Sequence, residues 1–389
     1  MKIIFISEHY FPRIGGVTTY VKNIFENSKS HFDSATLIVP SEEGKGKIKI
    51  QKIDRNTEIH IGVGSSLTGN ISSKTRKTFI FDTFNYLKSL FLEQKFDAIH
   101  VLYGLYTIRF FDFKHFRDLG VKCGVTIHNI PPAECGVSWK GDKLSNFLKD
   151  EIRKIGIGIV NKRRIQYQNL DFYIVPSYHV KSLLKSIVDE DKITVIGHGN
   201  NTKIIKFNPK ETRDFLQILC VGGFVPHKRQ DALIDIASSL RDKGYNIKWI
   251  FVGPIRNIHY FKYIQDKILD LDIELKVSIS QKELDLYYST SDIYIQPSLE
   301  EGFCLTALDA ATYGLPIVAT PTGALPEIVQ RGCGIIADFG SNGIETTILQ
   351  ILNSINHYKA TARLKVPDII DHFNWERSLF ILKNTISGS

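Results

Sequence analysis

Short, almost wholly apolar runs rich in Ile, Val and Phe recur along this chain, each followed by a longer stretch of helical periodicity. A strand that is apolar on both faces must be covered on both, and a parallel sheet flanked by helices does this. In the first half such runs are Ile3–Ser7, Ala35–Val39, Ala98–Val101, Val121–Ile127, Phe172–Val175 and Ile193–Ile196. Amphipathic segments such as Val17–Asn27 and Thr78–Glu93 lie between them. The rhythm then restarts, with Leu216–Val221, Ile247–Val252, Ile273–Lys276, Ile293–Gln296 and Ile317–Thr320 separated by helical stretches such as Gln230–Lys243.

Two α/β domains follow from this repetition, and 389 residues suit two such cores. The polar, turn-rich string IGHGNNTKIIKFNPKETRD separates the halves, so the linker is placed near Gly197–Thr212. The predicted domains are Rossmann-like, 1–200 and 201–371. The amphipathic HFNWERSLFILKN is read as a terminal helix, 372–389, that packs back onto the first domain. In open α/β sheets the binding crevice lies outside the carboxyl ends of the strands. Two such sheets facing each other predict a deep interdomain cleft, with chemistry carried just after the strands.

Composition narrows the class. With 43% hydrophobic and 23% charged residues the chain reads as globular. The opening KIIFIS is too short for a signal segment, and no run approaches the roughly 18 apolar residues of a membrane span. A cytoplasmic location is expected. The five cysteines form no CxxC pair and read as reduced thiols. The formal charge of +8 is concentrated between Lys140 and Gln168, where Lys140, Lys143, Lys149, Arg153, Lys154, Lys162, Arg163 and Arg164 flank the apolar IGIGIV. That segment suits either peripheral contact with an anionic membrane surface or a solvated helix face. Nothing interleaves aromatic with basic residues as a nucleic-acid binder would.

Four strand-end loops hold the candidate chemistry. In SEHYFPRIGGVTTYV, Gly15 and Gly16 stand immediately before a helix, where side-chain-free backbone and a helix N-terminus favour close approach of an anion. VKCGVTIHN puts His128 at the end of a buried strand, where its imidazole can donate to a hydroxyl or phosphate. VGGFVPHKRQDALI places Lys228 and its neighbour Arg229 before a helix, within reach of a diphosphate. In IYIQPSLEEGFCLTALDA, Glu301 sits at a loop tip and a helix begins near Cys304. Asp309 is expected about two turns into that helix. Amides of Gly302, Phe303, Cys304 and Leu305 suit phosphate oxygens, and the two carboxylates suit sugar hydroxyls.

Taken together, these strings resemble the retaining glycosyltransferases of family 4, which have the type B fold of two facing Rossmann-like domains. FPRIGGVTTYV is similar to the family's PxxGGxxxxV, VGGFVPHKRQD to GRLxxxKGxD, and PSLEEGFCLTALDA to PSxxEGFGLxxLEA. TIHN, VPSYHVKSLL and HFNWERS match further signatures. The resemblance implies that Gly16 lies against the donor phosphate and that His128 contacts the donor sugar. It assigns Lys228 to the diphosphate, Glu301 to a sugar hydroxyl, Phe303, Cys304 and Leu305 to amide contacts, and Asp309 to the ribose. Three positions depart from the pattern. Gly223 replaces the family's usual Arg, so a substitute is sought in Arg229, Arg256 or Arg13. Asp309 replaces Glu, and Cys304 replaces Gly.

The expected activity is metal-independent transfer of a hexose-type sugar from a UDP- or GDP-sugar to a glycan or lipid-linked acceptor, in bacterial cell-surface polysaccharide synthesis. No strand-end DxD invites a divalent ion, and no cofactor is expected. Acceptor contacts are assigned to Gly62–Lys77 and Pro131–Asp142. A sugar-nucleotide epimerase or phosphorylase is a competing enzyme. A non-catalytic nucleotide-sugar-binding subunit of a transferase complex competes from outside catalysis.

Overall fold

A computed structural model describes residues 1–12, 15–67, 71–129, 169–200 and 213–388. The basic segment Lys140–Gln168, the loop Pro131–Asp142, Arg13 and most of the linker lie outside the described residues. The described residues form two compact units. The first holds 1–129, 169–199 and the terminal helix from Trp375, and the second holds 200 and 213–374.

The first unit is built on an eight-stranded sheet. Its strands are β1 (Lys2–Ser7), β2 (Ser34–Ser41), β3 (Ile48–Ile53), β4 (Asn56–Gly62), β5 (Ala98–Tyr103), β6 (Lys122–Thr126), β7 (Phe172–Val175) and β8 (Ile193–Val195). Their order is 3-4-2-1-5-6-7-8, parallel except for β3, which runs antiparallel to β4. Successive residues of one strand serve opposite faces. Ile4 and Ile6 join the core beneath the helix Ser73–Glu93, whereas Ile3 and Phe5 join the core beneath the helix Gly16–Asn27.

The hairpin of β3 and β4 escaped the sequence reading. IKIQKI is exposed along its length, so it lacks the continuous apolar run that marks a covered strand. Its lysines sit on the sheet edge, where they discourage pairing with another chain. The stretch Gly62–Lys77 is also not all loop, because β4 ends at Gly62 and a helix capped by the Ser72 side chain starts at Ser73.

The terminal helix, Trp375–Ser387, packs on the first unit. Trp375, Leu379, Leu382 and Ile386 enter the core beside Tyr20 and Val21. Ser378 Oγ donates to the Gly197 carbonyl at 2.7 Å. Trp375 also lies against Gly199, where a Cβ would stand 2.4 Å from its backbone nitrogen, so only glycine fits.

The second unit has six parallel strands: β9 (Leu216–Val221), β10 (Ile247–Val252), β11 (Ile273–Lys276), β12 (Ile293–Gln296), β13 (Ile317–Ala319) and β14 (Gly334–Ile336). Their order is 11-10-9-12-13-14. Renumbered from one, this is the 3-2-1-4-5-6 order of dinucleotide-binding sheets, which reverses direction between its first and fourth strands. Ile218 and Cys220 face one core, and Leu219 and Val221 face the other. The short β14, GII, is the third strand the sequence reading missed, being only three residues long and half-buried.

Candidate functional site

The reversal point of the second sheet lies between β9 and β12, and the loops leaving these two strands carry the predicted lysine and glutamate. After β9 the chain makes a single 3-10 turn, Pro226–Lys228. It passes through Arg229 in the left-handed region (φ 55°) and enters the helix Gln230–Asp242. Lys228 Nζ ends 2.5 Å from Glu301 Oε1, with both side chains mostly buried. Burial works against the ammonium, but the Glu301 charge outweighs it and holds the amine above its ordinary value.

Glu301 is positioned by a polar network that sequence reasoning did not find. Ser298 Oγ donates to Oε1 at 2.7 Å and Gln296 Nε2 donates to it at 3.2 Å, so the described hydrogen bonds converge on one oxygen. Gln296 is fixed by the Tyr294 hydroxyl at 2.6 Å, and Tyr294 lies 2.9 Å from Thr306 Oγ1. The Glu301 amide donates to Thr322 Oγ1 at 3.2 Å. Next to Thr322, Gly323 has φ +57°, and a Cβ there would stand 2.7 Å from Glu301 Cβ and 2.8 Å from its backbone. The signal lay in TPTGALPE, a string whose glycine is needed both for its conformation and for the space beside Glu301.

Beyond Glu301, Cys304 occupies the left-handed region (φ 80°) as the N-cap of the helix Leu305–Thr312. That conformation favours glycine, which is why a glycine pattern reads naturally at this position. The thiol is buried, and burial, followed by the Glu301 charge, pushes it up to about 12. It is therefore neutral and a poor nucleophile at pH 7. Gly302 is half-buried, Phe303 is buried in the core, and Leu305 opens the helix.

Asp309 falls on the fifth residue of that helix, a little more than one turn in rather than two, because the helix begins at Leu305. Asn200 Nδ2 donates to its Oδ1 at 3.2 Å. Burial first, and the Asp285 charge second, push its carboxyl up to about 7 despite that bond. Arg229 Nη1 donates to the Phe339 carbonyl, which ties its guanidinium to the loop after β14.

In the first unit, Gly15 and Gly16 are exposed at the start of the helix Gly16–Asn27. His128 follows β6, and its Nε2 lies 2.8 Å from the Leu102 carbonyl. A carbonyl only accepts, so Nε2 carries the proton. Burial pushes the ring down to about 4, so it is neutral at pH 7 and its Nδ1 offers a lone pair. The expectation that this imidazole donates to a hydroxyl or phosphate is corrected in one respect: its one N–H donor is engaged by the Leu102 carbonyl within the protein. Tyr20 and His198 pack against the ring at centroid distances of 4.8 and 5.8 Å. Among the described residues no cluster of three or more His, Cys, Asp or Glu side chains is placed to hold a metal ion.

Comparison with known proteins agrees with this fold. The model of "Glycosyltransferase Family 4" matches residues 14–203, and that of "Glycosyl transferases group 1" matches 200–363. This chain belongs to the family 4 type of glycosyltransferases. An uncharacterized 41.2 kDa protein in the cps region of Klebsiella pneumoniae is 26% identical over 84% of this chain and 83% of its own length. Sucrose-phosphate synthase from Thermosynechococcus elongatus superposes with a TM-score of 0.75 at 17% identity, covering 100% of both chains. Anabaena HepE in complex with UDP and glucose superposes with a TM-score of 0.66 at 13% identity, again over 100% of both. The two Rossmann-like sheets of this glycosyltransferase are those of the type B fold. No helix among its described residues is long and apolar enough to cross a membrane.

Proposed function

We propose that this glycosyltransferase moves a hexose-type sugar from a nucleotide diphosphate donor to a glycan or lipid-linked acceptor, with retention at the anomeric carbon and without a metal ion. The observation that carries the reading is the Lys228–Glu301 pair at the point where the second sheet reverses. Departure of the nucleotide diphosphate puts negative charge on phosphate and positive character on the sugar. Lys228 faces the first, and the amides at the start of the helix Leu305–Thr312 add to it. Glu301 accepts a sugar hydroxyl through Oε2, the oxygen left over from the network on Oε1.

Asp309 takes the ribose hydroxyls. From the first unit, Gly15 and Gly16 are assigned to the donor phosphate and His128 to the donor sugar, as an acceptor. In a front-face reaction the leaving phosphate helps to deprotonate the acceptor hydroxyl, so no protein nucleophile is assigned. UDP or GDP is the favoured nucleotide, and the complex of the structurally similar HepE with UDP and glucose supports the first. The relative in a cps region supports a role in cell-surface polysaccharide synthesis. The basic segment 140–168 supports work at the cytoplasmic face of an anionic membrane. Neutralising Arg163 and Arg164 then weakens binding to anionic liposomes.

A panel of UDP-, GDP-, ADP- and dTDP-sugars, offered with mixed glycan and lipid acceptors in EDTA, tests the reading through nucleotide release. Release from one donor that requires Glu301 is the expected result. Nucleotide binding without release from any donor favours the second reading, a non-catalytic nucleotide-sugar-binding subunit, to which the Gly223 and Asp309 departures point.

A further inference from the structure

We propose that Arg256 supplies the second cation of the diphosphate site, an inference that rests on the nucleotide-sugar reading above. The charge balance at the strand ends of the second unit calls for one. A bound diphosphate brings at least two negative charges. Lys228 is neutralised by Glu301 at 2.5 Å, and Asp309 adds further negative charge as it ionises. Arg229 holds the Phe339 carbonyl.

Arg256 lies in the loop that leaves β10, the strand next to β9. Three backbone hydrogen bonds strap the two loops together: Gly222 N to the Val252 carbonyl (2.8 Å), Phe224 N to the Pro254 carbonyl (2.9 Å) and Asn257 N to the Phe224 carbonyl (3.0 Å). The exposed Arg256 side chain leans over Gly223, where a Cβ would stand 3.0 Å from its Cγ. A Cβ on Gly222 would stand 3.5 Å from Lys228 Cδ. Two consecutive glycines therefore carry the stems of two cations, one from each neighbouring loop, with bare backbone beneath. A guanidinium binds phosphate oxygens in pairs where an ammonium acts as a point charge. On this account Gly223 moves the cation rather than removing it, because a side chain at 223 and that of Arg256 compete for the same space.

The test compares nucleoside diphosphates with monophosphates (uridine, guanosine, adenosine and thymidine series) by calorimetry at fixed ionic strength. Arg256→Ala is expected to weaken diphosphate binding about tenfold or more while changing monophosphate binding about threefold at most. Arg256→Lys is expected to fall between, and Gly223→Arg combined with Arg256→Ala to recover most of the loss. Wild-type diphosphate affinity in Arg256→Ala, beside a clear loss in Lys228→Ala, overturns the proposal and leaves the nucleotide reading standing. A wild-type protein that binds every monophosphate as tightly as its diphosphate overturns both.

Discussion

Lys228 Nζ and Glu301 Oε1 lie 2.5 Å apart, joining the loops of two adjacent strands at the reversal point of the second sheet. Each charge is mostly buried, so each depends on the other. Removing one partner of such a pair leaves an uncompensated buried charge, which costs more than the pair contributes. Glu301→Ala and Lys228→Ala are each expected to melt below the wild type, and the double variant no lower than the worse single one. Glu301→Gln keeps the shape and is expected to lose about 100-fold or more in turnover. Thermal scans with nucleotide-release kinetics check this. Strict additivity of the two melting shifts would show that the pair is not coupled.

Cys304 is held at φ 80°, where a side chain costs of order 1–3 kcal/mol. Cys304→Gly is expected to fold at least as well as Cys304→Val by about 2 kcal/mol in urea titrations, since a β-branched residue is least tolerant there. It is also expected to retain transfer. Equal stability of the two variants would mean that the loop relaxes around this position.

If Asp309 holds the donor ribose as proposed, its carboxyl ties donor affinity to pH. Its folded carboxyl sits at about 7, raised from its ordinary value, so folding favours the neutral form and the stability this contributes fades as pH rises toward 7. Binding ribose hydroxyls favours the ionised form. Donor KM is therefore expected to fall as pH rises from about 6 to about 8, and Asp309→Asn to flatten that dependence. A wild-type KM that is constant across this range removes Asp309 from the ribose contact.

His100, His128 and His198 all lie in the first unit, and burial lowers each. His100 is pushed down to about 3 and His128 to about 4. Unfolding exposes rings that titrate near 6.5, so their neutral burial stabilises fully above that pH and less as pH falls toward the folded values. Each histidine is expected to steepen the acid loss by up to about 1.4 kcal/mol per pH unit. Urea titrations at about pH 7.5 and 5 measure the slope. His100→Asn is expected to reduce it by one proton, and an unchanged slope would show that His100 takes up no proton on unfolding.

Much of the fold was legible because covered parallel strands leave continuous apolar runs, as in Ile3–Ser7 and Leu216–Val221. The edge hairpin Ile48–Gly62 left no such run, because one partner is solvated on both faces. The loops bearing Lys228 and Glu301 were legible from their place after strands. Their contact was not, since 73 residues separate them and only the sheet order brings β9 beside β12. Tyr294, Gln296 and Ser298 read as ordinary strand-end residues until the bonds of Gln296 and Ser298 to Glu301, and of Tyr294 to Gln296, are seen.

The sequence by itself determined the elements, the doubled α/β plan and the residue types at each strand end, because these follow from local periodicity and loop chemistry. The tertiary structure decided which of those residues meet, which proton sits on which atom, and which side chain lies over Gly223. The proton on His128 Nε2 depends on the Leu102 carbonyl, and the protonation of Asp309 depends on burial and Asp285. The lean of Arg256 over Gly223 depends on the pairing of β9 with β10. These are properties of neighbours distant in sequence. Electrostatics and burial act through space, so no reading along the chain contains them.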